Sequence, residues 1–171
     1  MNVGTVETRK NALLIVKAIK NCDTKLILIG KKTKYTDEIE AYILQNKLED
    51  KILILNGLSS IELAIVYQMA SIFVYPSIFE GFGIPIIEAL YSKVPVITNK
   101  FGVFPEAGGP DSIYIDPENV NELEEKINYL LKNESLRKEI AKKGFDFVQR
   151  FNDDKIAINV NQLYINTINA D

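Results

Sequence analysis

SIFVYPSIFEGFGIPIIEAL (residues 71–90) changes character twice along its length. Ile72–Val74 is an apolar run of strand type. Tyr75–Gly83 contains Pro76, Gly81 and Gly83 and reads as a loop, and Pro85 is a favoured first residue for a following helix. A strand that feeds a helix through a glycine-containing loop is half of a βαβ unit. The same stretch carries two carboxylates, Glu80 and Glu88, in surroundings otherwise apolar or glycine.

Working outward, the pattern repeats. KLILIG (25–30), KILILNG (51–57), VPVITN (94–99) and SIYIDP (112–117) are short apolar runs, each stopped by Gly, Pro, Asn or Ser, and MNVGT (1–5) resembles a strand cut off at its start. Their density of Ile, Leu and Val without polar alternation suits strands covered on both faces, which means a parallel sheet. Between them lie helical patterns. Residues 10–20 place Leu13, Leu14, Lys17, Ala18 and Ile19 with an apolar stripe, and Ser59 followed by Glu62 is a capping box that opens a helix through about Met69. Residues 120–132, 134–149 and 153–169 read as three consecutive helices. The expected fold is α/β: a Rossmann-like, doubly wound parallel sheet of about six strands, with residues 71–75 away from its edges and the last helices on its flank.

Composition narrows the function. The 171 residues suit one domain with a substantial core, and 47% apolar and 25% charged residues are ordinary globular proportions. A net charge of −3 offers no basic face for nucleic acid, and no apolar run approaches the roughly 20 residues of a membrane span. A single cysteine, Cys22, excludes an internal disulfide, fits a reducing compartment and reads as a small semi-buried residue. No histidine is present, which removes imidazole acid–base chemistry and His-ligated metals from the chain's own repertoire. No Asp-x-Asp pair sits at a strand end, and Asp153–Asp154 reads as the cap of a late helix. Metal-independent binding without a cofactor is the expectation.

In open α/β sheets, ligands bind at the carboxyl ends of the strands. Glu80 in the loop and Glu88 early in the next helix would both face that end, beside a helix N-terminus that favours anions. Carboxylates are natural acceptors for paired sugar hydroxyls, and Gly81 and Gly83 would let a ligand approach the backbone. Each of these residues has a plain structural alternative, as a helix-start acid or a turn glycine; the pair at one sheet edge is what points to a ligand. Glu106, within FPEAGGP (104–110), reads equally well as an exposed acid in a Gly/Pro turn.

The ordered set Pro76, Ser77, Glu80, Gly81, Phe82, Gly83, Glu88 and Ala89, with Pro95-Val96, Pro105-Glu106 and VGTVETRKN (3–11), resembles the donor-binding core of the retaining glycosyltransferases of family four, the "glycosyl transferases group 1". Their fold is of the B type, two Rossmann-like domains facing one another, and Glu-x7-Glu is their signature. The resemblance covers nearly the whole chain. It implies that residues 1–171 are one nucleotide-sugar-binding domain, the C-terminal one, without the N-terminal acceptor domain.

The resemblance also implies roles. Lys10 and Glu80 are the candidate catalytic residues, Lys10 neutralising the departing diphosphate and Glu80 holding hydroxyls of the donor sugar. Glu88 would hold the ribose, the backbone around Phe82, Gly83 and Ile84, with Gly81, would line the sugar and phosphate pocket, and Leu58 would lie near the base. Thr5 departs from the pattern, since many members carry Arg there; Arg9 is the candidate compensating cation. The implied parent is a hexosyltransferase that uses a UDP- or GDP-linked sugar on a glycan or lipid-linked acceptor, in bacterial surface polysaccharide synthesis. It would be cytoplasmic, at the inner face of the membrane if the missing domain associates peripherally, and this domain alone would be inactive. The alternatives are a non-catalytic nucleotide-binding module and a sugar-nucleotide epimerase of the same fold.

Overall fold

The computed structural model describes residues 1–168. Six short strands alternate with helices: β1 (Asn2–Val3), α1 (Ala12–Ile19), β2 (Leu26–Ile29), α2 (Lys34–Gln45), β3 (Ile52–Leu55), α3 (Ser60–Met69), β4 (Phe73–Tyr75), α4 (Ile84–Tyr91), β5 (Val96–Asn99), α5 (Phe104–Gly108) and β6 (Ile113–Ile115). Three helices follow, α6 (Val120–Lys132), α7 (Glu134–Val148) and α8 (Asp153–Ile168), with a 3₁₀ turn at Gln149–Phe151 between the last two. All six expected strand segments contain a strand, and every pairing is parallel.

Two ladders, β1-β2-β3 and β4-β5-β6, meet where β1 lies along β4. There the Val74 amide donates to Met1 O (2.9 Å), the Met1 nitrogen to Ile72 O (2.7 Å) and Asn2 Nδ2 to Val74 O (2.8 Å). The order is therefore 3-2-1-4-5-6, with the topological switch between β1 and β4. As expected, β4 is central. Ile72 and Val74 point into the core built with α1, α2 and α6, while Phe73 and Tyr75 point into the opposite core, with α3, α4, α5 and α7. That is why this strand reads as continuously apolar.

The local rules hold at most element ends. Ser59 Oγ accepts from the Glu62 amide and Glu62 Oε2 from the Ser59 amide, completing the expected capping box of α3. Asp153 and Asp154 lie in the first turn of α8, the position of helix-start acids. Four details differ from expectation. Residues 8–10 form a separate 3₁₀ turn before α1, because Asn11 takes a left-handed conformation (φ 56°) and breaks the helix there. Helix α4 starts at Ile84, so Pro85 is its second residue. FPEAG (104–108) is a one-turn helix on which Glu106 is exposed, rather than an open turn. Finally, α6 packs on α1 and α7 on α4, but α8 buries none of its residues and so does not lie on the flank; residue 169 of the expected last helix is outside the described residues. Helix α2 lies outside the segments assigned from the sequence. Among the described residues, no helix is long and apolar enough to cross a membrane.

Candidate functional site

The strands that flank the topological switch deliver the candidate residues. From β1 the chain turns at Gly4 (φ 146°) and closes up against β2, where a Cβ on Gly30 would fall 1.8 Å from Gly4 O. At Gly4 it is the backbone conformation that calls for glycine, since a Cβ there would make only ordinary contact with the returning Lys10 side chain (Cε at 3.5 Å). Lys10, last residue of the 3₁₀ turn, thus folds back under β1 and is only 9% exposed. Asn11 fixes the turn in place: its Nδ2 donates to Pro117 O (2.7 Å), after β6, and to Pro76 O (3.3 Å), after β4.

From β4 comes Glu80. Its Oε1 accepts hydrogen bonds from Lys10 Nζ (2.5 Å), Ser77 Oγ (2.7 Å) and Tyr75 Oη (3.0 Å), and Arg9 Nη1 lies 3.0 Å away. Lys10 Nζ also donates to Tyr75 Oη at 2.6 Å. Among the described residues, no protein group hydrogen-bonds to Oε2. Burial alone would push the Glu80 carboxyl up, but Lys10, Ser77 and Tyr75 stabilise its charge, and the net effect holds it below the ordinary carboxylate value. Burial pushes the Tyr75 phenol up, and the charges of Glu80 and, more weakly, Glu88 push it further, so it stays a neutral donor. The loop itself is tied to the Lys10 turn, with Arg9 O accepting from the Ile78 amide (2.8 Å) and lying 3.0 Å from Ser77 Oγ, whose single hydrogen goes to the nearer Glu80 Oε1. Behind it, Asn99 Nδ2 donates to Ser77 O (2.9 Å) from β5.

The second carboxylate is the fifth residue of α4, one turn deeper than a first-turn acid. Glu88 Oε2 accepts from Tyr67 Oη of α3 at 2.9 Å. Three rings bridge the two acids: Tyr67 packs on Phe73 (centroids 5.4 Å apart) and Phe73 stacks on Tyr75 (5.8 Å). Glu80 and Glu88 therefore stand at the two ends of one aromatic row. Gly83 caps α4 in a left-handed conformation (φ 97°) without any side-chain cap, and Pro85 has no N–H. At the start of α4 the Ile86 amide donates to Gly83 O (2.9 Å), so of the first three residues of the helix Ile84 alone has an amide without a backbone partner among the described residues.

Lys10, Arg9 and Glu80 are thus brought into one network, with Gly81–Ile84 forming its adjoining loop and helix start. Phe82 turns its ring to Phe151 (5.5 Å, edge-on), so only its backbone is available to that loop. Thr5 is exposed and Leu58 half-buried in the loop before α3; neither joins the network. Tyr75, Tyr67 and Asn11 escape a reading for ligand chemistry because each looks like ordinary strand, helix or turn material. The signal for Tyr75 is its place in alternation with Phe73, one residue before the loop proline.

The profile of the family described as "Glycosyl transferases group 1" matches residues 1–147. The chain belongs to this family. An uncharacterized glycosyltransferase of Methanocaldococcus jannaschii, MJ1178, is 32% identical over 164 residues, 95% of this chain and 46% of its own length. The O-antigen chain mannosyltransferase RfbU of Salmonella typhimurium is 36% identical over 119 residues, 68% of this chain and 34% of its own. This group 1 chain therefore spans less than half the length of those relatives. A crystal structure of the C-terminal domain of a glycosyl transferase group 1 family protein, LpcC of Francisella tularensis, superimposes with a TM-score of 0.77 at 28% identity, covering 86% of this chain and 83% of that one. The fold of this group 1 chain is that of a B-type glycosyltransferase C-terminal domain.

Proposed function

We propose that residues 1–171 are the donor-binding half of a retaining hexosyltransferase, with a nucleoside diphosphate sugar as donor and a glycan or lipid-linked acceptor bound mainly by an N-terminal domain. The observation that carries the reading is the Glu80 carboxylate, fixed through Oε1 by Lys10, Ser77 and Tyr75 and unengaged at Oε2, beside the switch point of the sheet. A half-buried carboxylate held in this way offers one oriented acceptor to a sugar hydroxyl. Lys10 and Arg9 supply positive charge where a diphosphate would leave, and the Ile84 amide at the start of α4 would add a backbone donor for its oxygens. Glu88 would take the ribose and Leu58 the base. The O-antigen chain mannosyltransferase of Salmonella typhimurium among the relatives supports a hexose donor and a role in surface polysaccharide assembly.

No cofactor or metal is invoked: lysine and arginine at the leaving group do the work a divalent cation does elsewhere. The half-pocket should bind donors in the upper micromolar range or weaker, on the order of −5 kcal/mol, and should not transfer. Positioning of the acceptor supplies roughly 7–11 kcal/mol of such a barrier, and the opposing domain would provide it. Calorimetric titration with UDP, GDP, ADP and their hexose conjugates tests the reading. Glu88→Ala is expected to weaken nucleotide and nucleotide sugar alike, and Glu80→Ala the nucleotide sugar only. Equal losses for both ligands in both variants would defeat the roles, and glycosyl transfer by this chain alone would defeat the division of labour.

A further inference from the structure

Tyr67 is 2% exposed, and its ring is fixed against Phe73 in the core shared with α4. Its hydroxyl leaves that core at one point, toward Glu88 Oε2 (2.9 Å) and, at the limit of contact, Pro85 O (3.4 Å). Among the described residues, the Glu88 carboxylate has no other hydrogen-bond or ion-pair partner. A free glutamate on a helix samples several rotamers. One that must meet a ribose diol gains from being held in a single rotamer, because the ordering cost is then met before the ligand arrives. The same device operates at Glu80, whose Oε1 is held by Tyr75 of the same aromatic row while Oε2 is left open. Burial, and then the Glu88 charge, push the Tyr67 phenol well up, so the hydroxyl remains a donor across the working pH range.

We infer that Tyr67 is a positioning residue for nucleotide recognition: it clamps one oxygen of Glu88 so that Oε1 faces the two ribose hydroxyls. The inference rests on the donor-binding reading above. It makes α3 part of the binding site through the Tyr67–Glu88 hydrogen bond, and it assigns a function to a tyrosine that otherwise reads as core.

The test is a double-mutant cycle of Tyr67→Phe with Glu88→Gln, titrated by calorimetry with whichever of UDP or GDP the wild type binds and with its 2′,3′-dideoxyribose analogue. Tyr67→Phe keeps the ring on Phe73 and removes only the donor. It is expected to weaken the ribonucleotide on the order of tenfold, the size of a lost hydrogen bond to a charged group, and to leave the dideoxy analogue unchanged. The double variant should bind no more weakly than Glu88→Gln alone. A purely structural role would weaken both probes equally and add to Glu88→Gln, and either result would overturn the inference. If Tyr67→Phe does not fold, Glu88→Asp, which draws the carboxylate back from Tyr67 by one methylene with its charge kept, should show the same ribose-dependent loss; wild-type affinity in that variant would overturn the inference. A wild type that binds no nucleotide, or whose affinity Glu88→Gln leaves unmoved, would overturn the donor-site reading itself. Weakening by Glu88→Gln with none by Tyr67→Phe would remove the clamp alone.

Discussion

Replacing Glu80 by Gln should destabilise the protein more than replacing Lys10 by Met, although the two side chains are partners in one ion pair. The asymmetry follows from what each loss leaves behind. Without Lys10, the Glu80 carboxylate keeps Ser77 Oγ, Tyr75 Oη and Arg9 Nη1, all within 3.0 Å of Oε1. Without the Glu80 charge, Lys10, 9% exposed, keeps only the neutral Tyr75 oxygen and whatever the new amide offers. Removing one partner of a buried pair costs about 3–5 kcal/mol, and the carbonyl of Gln sets the loss at the low end, about 3 kcal/mol. Arg9 adds little, because its side chain is 45% exposed and its pairing is screened by solvent. Lys10→Met removes a charge that was itself desolvated and leaves a satisfied acid, for about 1 kcal/mol. In a chain of this size each kcal/mol moves the Tm by about 2–4 °C, so Glu80→Gln should lower it by roughly 6–12 °C and Lys10→Met by a few degrees. Denaturant unfolding of the three proteins at neutral pH measures the difference directly. The site's chemistry adds a second readout: with Lys10 and Arg9 released from Glu80, a nucleoside diphosphate should bind Glu80→Gln at least as well as wild type and restore part of its Tm by mass action. A Lys10→Met loss equal to or above that of Glu80→Gln would refute the reasoning, and so would nucleoside diphosphate affinity that falls with the carboxylate.

The Glu80 carboxyl sits below the 4.5 of an ordinary glutamate, so its stabilisation is complete above that value and is lost as the pH falls through the lower folded one. The stability gap between wild type and Glu80→Gln should therefore narrow on acidification below 4.5, and a gap that is constant with pH would contradict the pairing. Gly83→Ala places a Cβ at φ 97° and 3.3 Å from Ile86 Cδ1, for about 1–2 kcal/mol of strain and weakened ligand binding. A Cβ on Gly81 meets nothing within 4 Å, so Gly81→Ala should melt like wild type, and matched melting curves for the two variants would count against the loop geometry. Donor binding should be unchanged by a chelator, and affinity that vanished with it and returned with manganese would require a metal the chain has not been assigned.

The sequence exposes those parts of this molecule that depend on local backbone chemistry. The strand segments, the Ser59–Glu62 box and the loop before α4 are each written in a few adjacent residues. The box lies where the pattern puts it, whereas β4 runs one residue later than the apolar run, from Phe73 to Tyr75, so that Tyr75 belongs to the strand and not to the loop. Glu80 and Glu88 were legible for a different reason: a charge in an apolar or glycine-rich context is costly unless something holds it, so its presence asks for a partner. The partners themselves were less legible. Lys10 lies 70 residues from Glu80, and only the 3-2-1-4-5-6 strand order, with its switch between β1 and β4, brings the two together. Tyr67 and Tyr75 have side chains that pack as hydrophobes while their hydroxyls act as donors. Periodicity counts the ring and is blind to the oxygen. The same blindness explains α8, where Ile156, Val160, Leu163 and Ile168 supply the apolar spacing of a core helix and yet lie exposed. Apolar residues record that a face is suited to burial, while only the rest of the fold decides whether anything covers it. At the site the two kinds of information meet. Each carboxylate gives one oxygen to a tyrosine that is silent in the sequence, Glu80 to Tyr75 and Glu88 to Tyr67, and among the described residues keeps its other oxygen without a protein partner.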